Sequence, residues 1–237
     1  MPNLLSLGVV ALGYLLGAVP FGYMLVRYRT GKDIRDVHSG RTGGTNAMRA
    51  AGKRIGILTG ILDILKGYVA VLLATWLVPG DAWVAVLAPV AAIIGHNYSI
   101  FLIKVDKAGK LQFAGGAGGA TVLGGTMGLW FPSLFIILPV GAFIYYFVGY
   151  ASVTTLSAGI LATVILGVRV YLGLSPWEYA IYGVVALALL AWALRPNIQR
   201  LLQGTERMHG YRARKKETRK TEKRKQRPLG RAVPRHG

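Results

Sequence analysis

The chain has 237 residues, 53% of them hydrophobic and only 16% charged, against the roughly 25% charge of an ordinary soluble domain. Its 28 Lys and Arg are clustered, with 8 between Arg27 and Arg54, 3 between Lys104 and Lys110, and 15 from Arg195 onward. The stretches between them are too long and too bare for a water-facing surface. A soluble globular enzyme is therefore excluded, and an all-α polytopic membrane protein is expected. The formal net charge of +19 then belongs to basic loops beside anionic lipid, with no nucleic acid as partner. The absence of cysteine excludes disulfides, zinc–thiolate sites, iron–sulfur clusters and a thiol nucleophile.

In chain order, the first apolar run covers about residues 4–26 despite Pro20. No basic segment precedes it, so it reads as a span rather than a removable signal. Runs at 55–78 and 84–103 follow. The earlier of these carries Asp63 and Lys66 on one helix face, which suits a structural ion pair, a substrate role being the other reading. Residues 115–150 are too long for one crossing and divide at Trp130–Ser133 into helices near 116–129 and 133–149. Two more runs, 152–170 and 177–194, are separated by the turn signal GLSPWE. About seven transmembrane helices result.

With the N-terminus outside, the inside segments 27–54, 104–114, 150–152 and the tail hold all the clustered Lys and Arg. The C-terminus is then cytoplasmic. The chain divides into an integral-membrane domain, 1–210, and a basic cytoplasmic tail, 211–237. That tail has almost no apolar residues, so it is expected to be disordered and tethered to anionic membrane lipid.

Chemistry concentrates in the loops. In KDIRDVHSGRTGGTNAMRAAGKR, residues 32–54, Ser39, Gly40, Gly43, Thr45 and Asn46 stand beside Arg41 and Arg49. Glycine lets backbone N–H groups approach an anion, hydroxyls add donors, and arginine offers a forked pair of N–H groups. The loop reads as a phosphate-binding site, and a short helix starting near Thr45 would add the positive end of its dipole. A second cluster puts His96 and Asn97 late in an apolar helix, where a polar side chain needs a partner or a cavity. Gly115, Gly116, Gly118 and Thr121 then open the next helix, which suits either a phosphate or close helix packing. After the last run, Leu194, Ile198, Leu201 and Leu202 form the apolar stripe of an interfacial helix that carries Asn197 to the membrane surface. No HEXXH, GXSXG or HX4D signature is present. The chemistry rests on anion binding close to lipid, with no metal and no cofactor expected.

Several ordered motifs carry a resemblance. VPFGY at 19–23, DIR at 33–35, SGRTGGTNAMRAAG at 39–52 and DILKG at 63–67 come first. GHNYSIF at 95–101, GGAGGAT at 115–121, GYASVTTLSAG at 149–159 and NIQRLLQGTE at 197–206 follow. In this order and spacing they resemble the bacterial acyl-phosphate:glycerol-3-phosphate acyltransferase family (PlsY), over about residues 10–207. The resemblance implies the first acylation of phospholipid biosynthesis. A fatty acyl group moves from acyl phosphate to the 1-hydroxyl of sn-glycerol 3-phosphate, giving lysophosphatidic acid and phosphate. Neither acyl-CoA nor acyl carrier protein is the direct donor. It also implies a multi-pass protein of the bacterial cell (inner) membrane with its active site at the cytoplasmic face.

By similarity, Ser39, Asn46 and Arg49 lie at the phosphate-binding centre and Asn197 contributes from the C-terminal motif. Ser39 and Arg49 are the expected catalytic pair. The expected phosphate contacts are Gly40, Arg41, Gly43, Thr45, Asn46, Lys110, Gly115, Gly116, Gly118, Thr121 and Asn197, with His96 and Asn97 in support. Three positions depart from the family pattern: Arg41 stands for its asparagine, Ala117 for its lysine and Leu194 for its histidine. Arg41, or Lys110 in a lengthened loop, is expected to restore the lost positive charge. The alternative is a catalytically weakened paralogue that binds phospholipid or a phosphorylated ligand.

Overall fold

The computed structural model describes residues 4–105, 108–211 and 213. Its first element is decided by Pro20, whose ring removes a backbone N–H that a continuous helix needs. Helix α1 (Leu4–Ala18) stops before it and α2 (Phe21–Thr30) restarts beyond it. Gly31, in the left-handed conformation at φ 69°, closes α2 by donating its N–H to the Arg27 carbonyl. There follow α3 (Gly44–Ala51), α4 (Lys53–Leu77) and α5 (Ala82–Asn97), then a hairpin of β1 (Ser99–Val105) and β2 (Leu111–Ala114). The chain continues through α6 (Gly119–Leu129), α7 (Leu134–Phe143, prolonged by a π turn to Val148), α8 (Ala151–Tyr171), α9 (Glu178–Ala193) and α10 (Arg195–Leu202).

Among the described residues, four segments are long and apolar enough to cross a membrane: Leu4–Thr30, Lys53–Leu77, Phe131–Val148 and Ala151–Tyr171. The pair α9–α10, bent by 66°, makes a fifth if taken as one. Helices α5 and α6, of 16 and 11 residues, fall short of a full crossing. Two expectations are corrected. The chain is mostly helical rather than all-α, and the run expected as a helix over 84–103 leaves the helix at Asn97. Residues 99–105 instead pair antiparallel with 111–114, Ser99 opposite Ala114 and Val105 opposite Leu111. Ile100, Phe101, Ile103 and Val105 are β-branched or aromatic and suit a pleated strand, a preference that hydropathy alone does not register. The tail expected to be disordered over 211–237 lies, save for Tyr211 and Ala213, outside the described residues.

The core lies between α5, α6, α7, α8 and α9, around Ile93, Val122, Ile137, Leu166, Tyr182 and Leu190. Tyr182 is fully buried, and its hydroxyl donates to the Val122 carbonyl at 3.0 Å. Helices approach closely because glycines face backbone across the crossings. Gly13 and Gly17 of α1 face Ala88 and Ala92 of α5, and Gly67 and Gly124 close the α4–α6 crossing against Thr121 and Ile64. The buried charges lie beside these crossings. Asp63 pairs with Lys66 at 3.0 Å and with His96 Nδ1 at 3.5 Å. Lys66 Nζ also donates to the Val19 carbonyl at 3.2 Å, at the break between α1 and α2. Asp63 and Lys66 are both buried, and Asp63 also lines the cavity described below.

A side chain at Gly124 would meet the α4 backbone, whereas one at Gly8 has open space around it. Gly124→Val is expected to cost about 2–3 kcal/mol, and Gly8→Ala is expected to be neutral or slightly stabilising. Thermal unfolding in detergent checks both.

Candidate functional site

One buried amide shapes the loop between α2 and α3. Asn46, in the first turn of α3, donates through Nδ2 to the carbonyls of Ile34 at 3.2 Å, Val37 at 2.9 Å and Arg41 at 2.9 Å. Its Oδ1 accepts from the Ser39 N–H at 3.5 Å. The loop therefore wraps around its own side chain, with Ser39 and Arg41 on the cavity side. His38, just before Ser39, is the one non-glycine residue with positive φ among those described, at 48°.

Backbone bonds bring the other clusters to this loop. The Thr42 N–H donates to the Gly115 carbonyl at 3.1 Å, and the Gly116 N–H donates to the His96 carbonyl at 2.9 Å. Arg41 then joins three segments. Its Nη1 donates to the Gly116 carbonyl at 3.3 Å, and its Nη2 donates to Asn197 Oδ1 at 3.3 Å and to the Ala193 carbonyl. Burial and the neighbouring Arg200 push the Arg41 guanidinium below its ordinary pKa. The fold thus holds a partly buried cation among neutral oxygens.

A cavity of about 700 Å³ opens beneath these loops. One wall is polar, with Ser39, Arg41, Arg49, Asn197, Glu206 and Arg207. The other is apolar, with Ile64, Leu123, Ile137, Leu138, Ala142 and Ala158 from α4, α6, α7 and α8. A smaller cavity of about 350 Å³ shares Ser39 and Arg41 with it. Of the expected site residues, Gly43, Thr45, Asn46, His96 and Gly118 also line the larger cavity, while Gly40, Asn97, Gly115 and Gly116 line the smaller. Thr121 is buried beside neither, and its hydroxyl, like the Asn97 amide, has no hydrogen-bond partner among the described residues. Lys110 is not brought to the site. It precedes β2 at the far end of the hairpin, about four strand residues or ~13 Å beyond Ala114. His96 reaches the cavity while paired to Asp63.

The arginines divide by partner. Arg35 is spent on Asp33, with Nη2–Oδ2 at 2.6 Å; this bond pulls the Asp33 carboxyl below its usual range and pushes Arg35 up. Arg35 is absent from both cavity walls. Arg41, Arg49 and Arg207 form no ion pair among the described residues. Arg207 Nη1 bonds His38 Nδ1 at 2.8 Å, and Arg49 Nη2 bonds His209 Nε2. Glu206 stands on the same wall, but its oxygens accept from Ser152 Oγ at 2.7 Å and Asn197 Nδ2 at 3.1 Å. His38, Arg207 and His209 escaped the sequence reading. They carry no periodic or spacing signal, and 160 residues separate His209 from Arg49.

The segment from residue 7 to 204 matches the family model described as "Glycerol-3-phosphate acyltransferase". The chain is 39% identical over 211 residues to a glycerol-3-phosphate acyltransferase of Rubrobacter xylanophilus, covering 89% of this chain and 98% of that protein. It is 36% identical over 204 residues to glycerol-3-phosphate acyltransferase 2 of Moorella thermoacetica, covering 86% and 97%. Among solved structures it is similar to PlsY (YgiH), an integral membrane glycerol 3-phosphate acyltransferase, in its glycerol 3-phosphate form. There the TM-score is 0.75 with 33% identity over 86% of this chain and 96% of that one. The lysophosphatidic acid form of that protein matches with a TM-score of 0.73 and 32% identity, covering 86% and 95%.

Burial and the Arg49 guanidinium push His209 down to about 4, so it is neutral at pH 7. Tyr145, stacked on the ring, is its other titratable neighbour in direct contact among the described residues. A histidine with a lowered folded pKa favours docking fully above its free value of about 6.5 and loses that contribution as pH falls toward 4. NMR titration of histidine-labelled protein is expected to find one imidazole near 4, moved upward by Arg49→Leu.

Proposed function

The chain belongs to the glycerol-3-phosphate acyltransferase family, and on that premise we propose that it moves a fatty acyl group from acyl phosphate to the 1-hydroxyl of sn-glycerol 3-phosphate. The products are lysophosphatidic acid and inorganic phosphate. The observation that carries this reading is Arg41, a cation without a carboxylate partner on the wall shared by the two cavities. Both substrates bear phosphate, and the cavity joins a cationic wall to an apolar one wide enough for an acyl chain. Ala117 and Leu194, where the resemblance leads one to expect a lysine and a histidine, both line that cavity. Arg41 bonds the carbonyls of the residues just before each, Gly116 and Ala193. One guanidinium thereby supplies positive charge at both vacant positions.

An acyl phosphate is an activated mixed anhydride, so the protein has mainly to align and to stabilise charge. The 1-hydroxyl oxygen bonds to the carbonyl carbon, and the carbon–oxygen bond to phosphate breaks. The hydroxyl proton passes to a substrate phosphate oxygen, which removes the need for a protein base. Arg41 and Arg49 stabilise the departing phosphate, and the Ser39 hydroxyl orients the substrate at the junction of the two cavities. No acyl carrier protein takes part as direct donor, and no cofactor is needed.

The site faces the cytoplasm of a bacterial cell membrane in this reading, because the loops that build it carry the clustered Lys and Arg. Seven crossings with the N-terminus outside follow when α5, α6 and α9 join the longer segments. Helix α6 spans only about 16 Å at 1.5 Å per residue, yet it is mostly buried within the bundle. Surrounding helices cover its middle, from Thr121 to Met127, which keeps a short segment out of lipid.

Phosphate release from palmitoyl phosphate by the purified protein in lipid tests the reaction. It is expected to require glycerol 3-phosphate and to fall about 100-fold or more in Ser39→Ala, Arg41→Ala and Arg49→Ala. A folded protein without turnover would instead favour the weakened paralogue that binds a phosphorylated ligand.

A further inference from the structure

The family match ends at residue 204, yet the chain beyond it returns to the cavity. Thr205, Glu206 and Arg207 line the wall, and His209 meets Arg49. Three contacts fix this residue. The His209 backbone N–H donates to the Gly149 carbonyl at 2.7 Å, and the ring stacks on Tyr145 with centroids 5.4 Å apart and planes 12° from parallel. The third contact is the bond from Arg49 Nη2 to Nε2. Gly210 lies against the Tyr146 backbone, where a Cβ would have no room. The segment is a wedge between α3 and the end of α7.

We propose that His209 is a positioning residue that holds Arg49 toward the cavity without cancelling its charge. This deepens the reading of Arg49 as a phosphate-binding residue and rests on it. An unrestrained arginine loses rotamer freedom whenever an anion binds it, a cost that prior ordering removes. A carboxylate would order it more tightly but would also neutralise it. A neutral imidazole accepts one guanidinium N–H and leaves the positive charge for the substrate. The same choice recurs nearby: Arg41 is held by carbonyl and amide oxygens and Arg207 by His38. Arg35, tied to Asp33, lines neither cavity.

The test uses the full-length protein with His209→Ala, His209→Gln and His209→Glu. Calorimetry reads the Kd for sn-glycerol 3-phosphate, and thermal unfolding and turnover are read beside it. His209→Ala is expected to weaken binding about 3- to 10-fold, the size of the ordering cost of one long side chain. His209→Gln, whose side-chain carbonyl accepts from Arg49, is expected to restore binding to within about 3-fold of wild type. His209→Glu is expected to keep or raise the unfolding temperature yet weaken binding more than alanine does. A glutamate variant that binds as tightly as wild type overturns the proposal, because a merely structural wedge would behave so. A glutamine variant no better than alanine also overturns it. Wild-type binding without turnover would refute the acyl-transfer reading while the order among the His209 variants still decides this one.

Discussion

Positive charge held at the cavity wall without being neutralised is the constraint on which the rest of the structure depends. A guanidinium contributes most to a dianion when no carboxylate has already claimed it. No described carboxylate stands in ion-pair contact with Arg41, Arg49 or Arg207, although Glu206 shares their wall. Asp33 binds Arg35, Asp63 binds Lys66 and His96, and Glu206 accepts from Ser152 and Asn197. What remains is a wall of arginines steadied by neutral groups. Burial would make such cations costly in an apolar protein. The cost is offset here because each one is hydrogen-bonded, with room left for an anion.

The fold serves that wall from two directions. Below, the glycine crossings at Gly17 and Gly124 let helices close up, so α6 can begin directly after the Gly115–Gly118 turn. Above, Asn46 collects three carbonyls and one N–H and turns a flexible glycine-rich loop into a fixed one. The Asp63–Lys66–His96 group ties these levels together. His96 sits on Asp63 while its own carbonyl anchors Gly116. A cavity with cations at the loops and aliphatic side chains between the helices then fits a substrate with a phosphate at one end and a chain at the other.

Much of this was legible in the residues. The cluster of Ser39, Gly40, Arg41, Gly43, Thr45 and Asn46 reads as an anion loop because glycine, hydroxyl and guanidinium each answer a specific need of phosphate, and the fold gathers these residues on the two cavities. Asp63 and Lys66 announce themselves as a pair because a lone charge in an apolar helix is too costly. The hairpin at 99–114 was hidden, because an apolar run of β-branched residues reads equally as the end of a span. Lys110 illustrates the consequence. Its place in the sequence suggests proximity to the glycine loop, but a two-stranded ladder carries it away. His209 was hidden for a different reason: only the folded chain brings a lone histidine after α10 back to α3.

The second ionisation of glycerol 3-phosphate bound in the cavity, followed by phosphorus NMR across pH, measures the unneutralised charge directly. A free phosphate monoester gives up its second proton near pH 6. Cations without counter-ions favour the dianion, so the bound phosphate is expected to titrate at least about one unit lower. A bound phosphate that titrates at or above its free value would contradict the account, since the wall would then carry no net positive charge for it to feel.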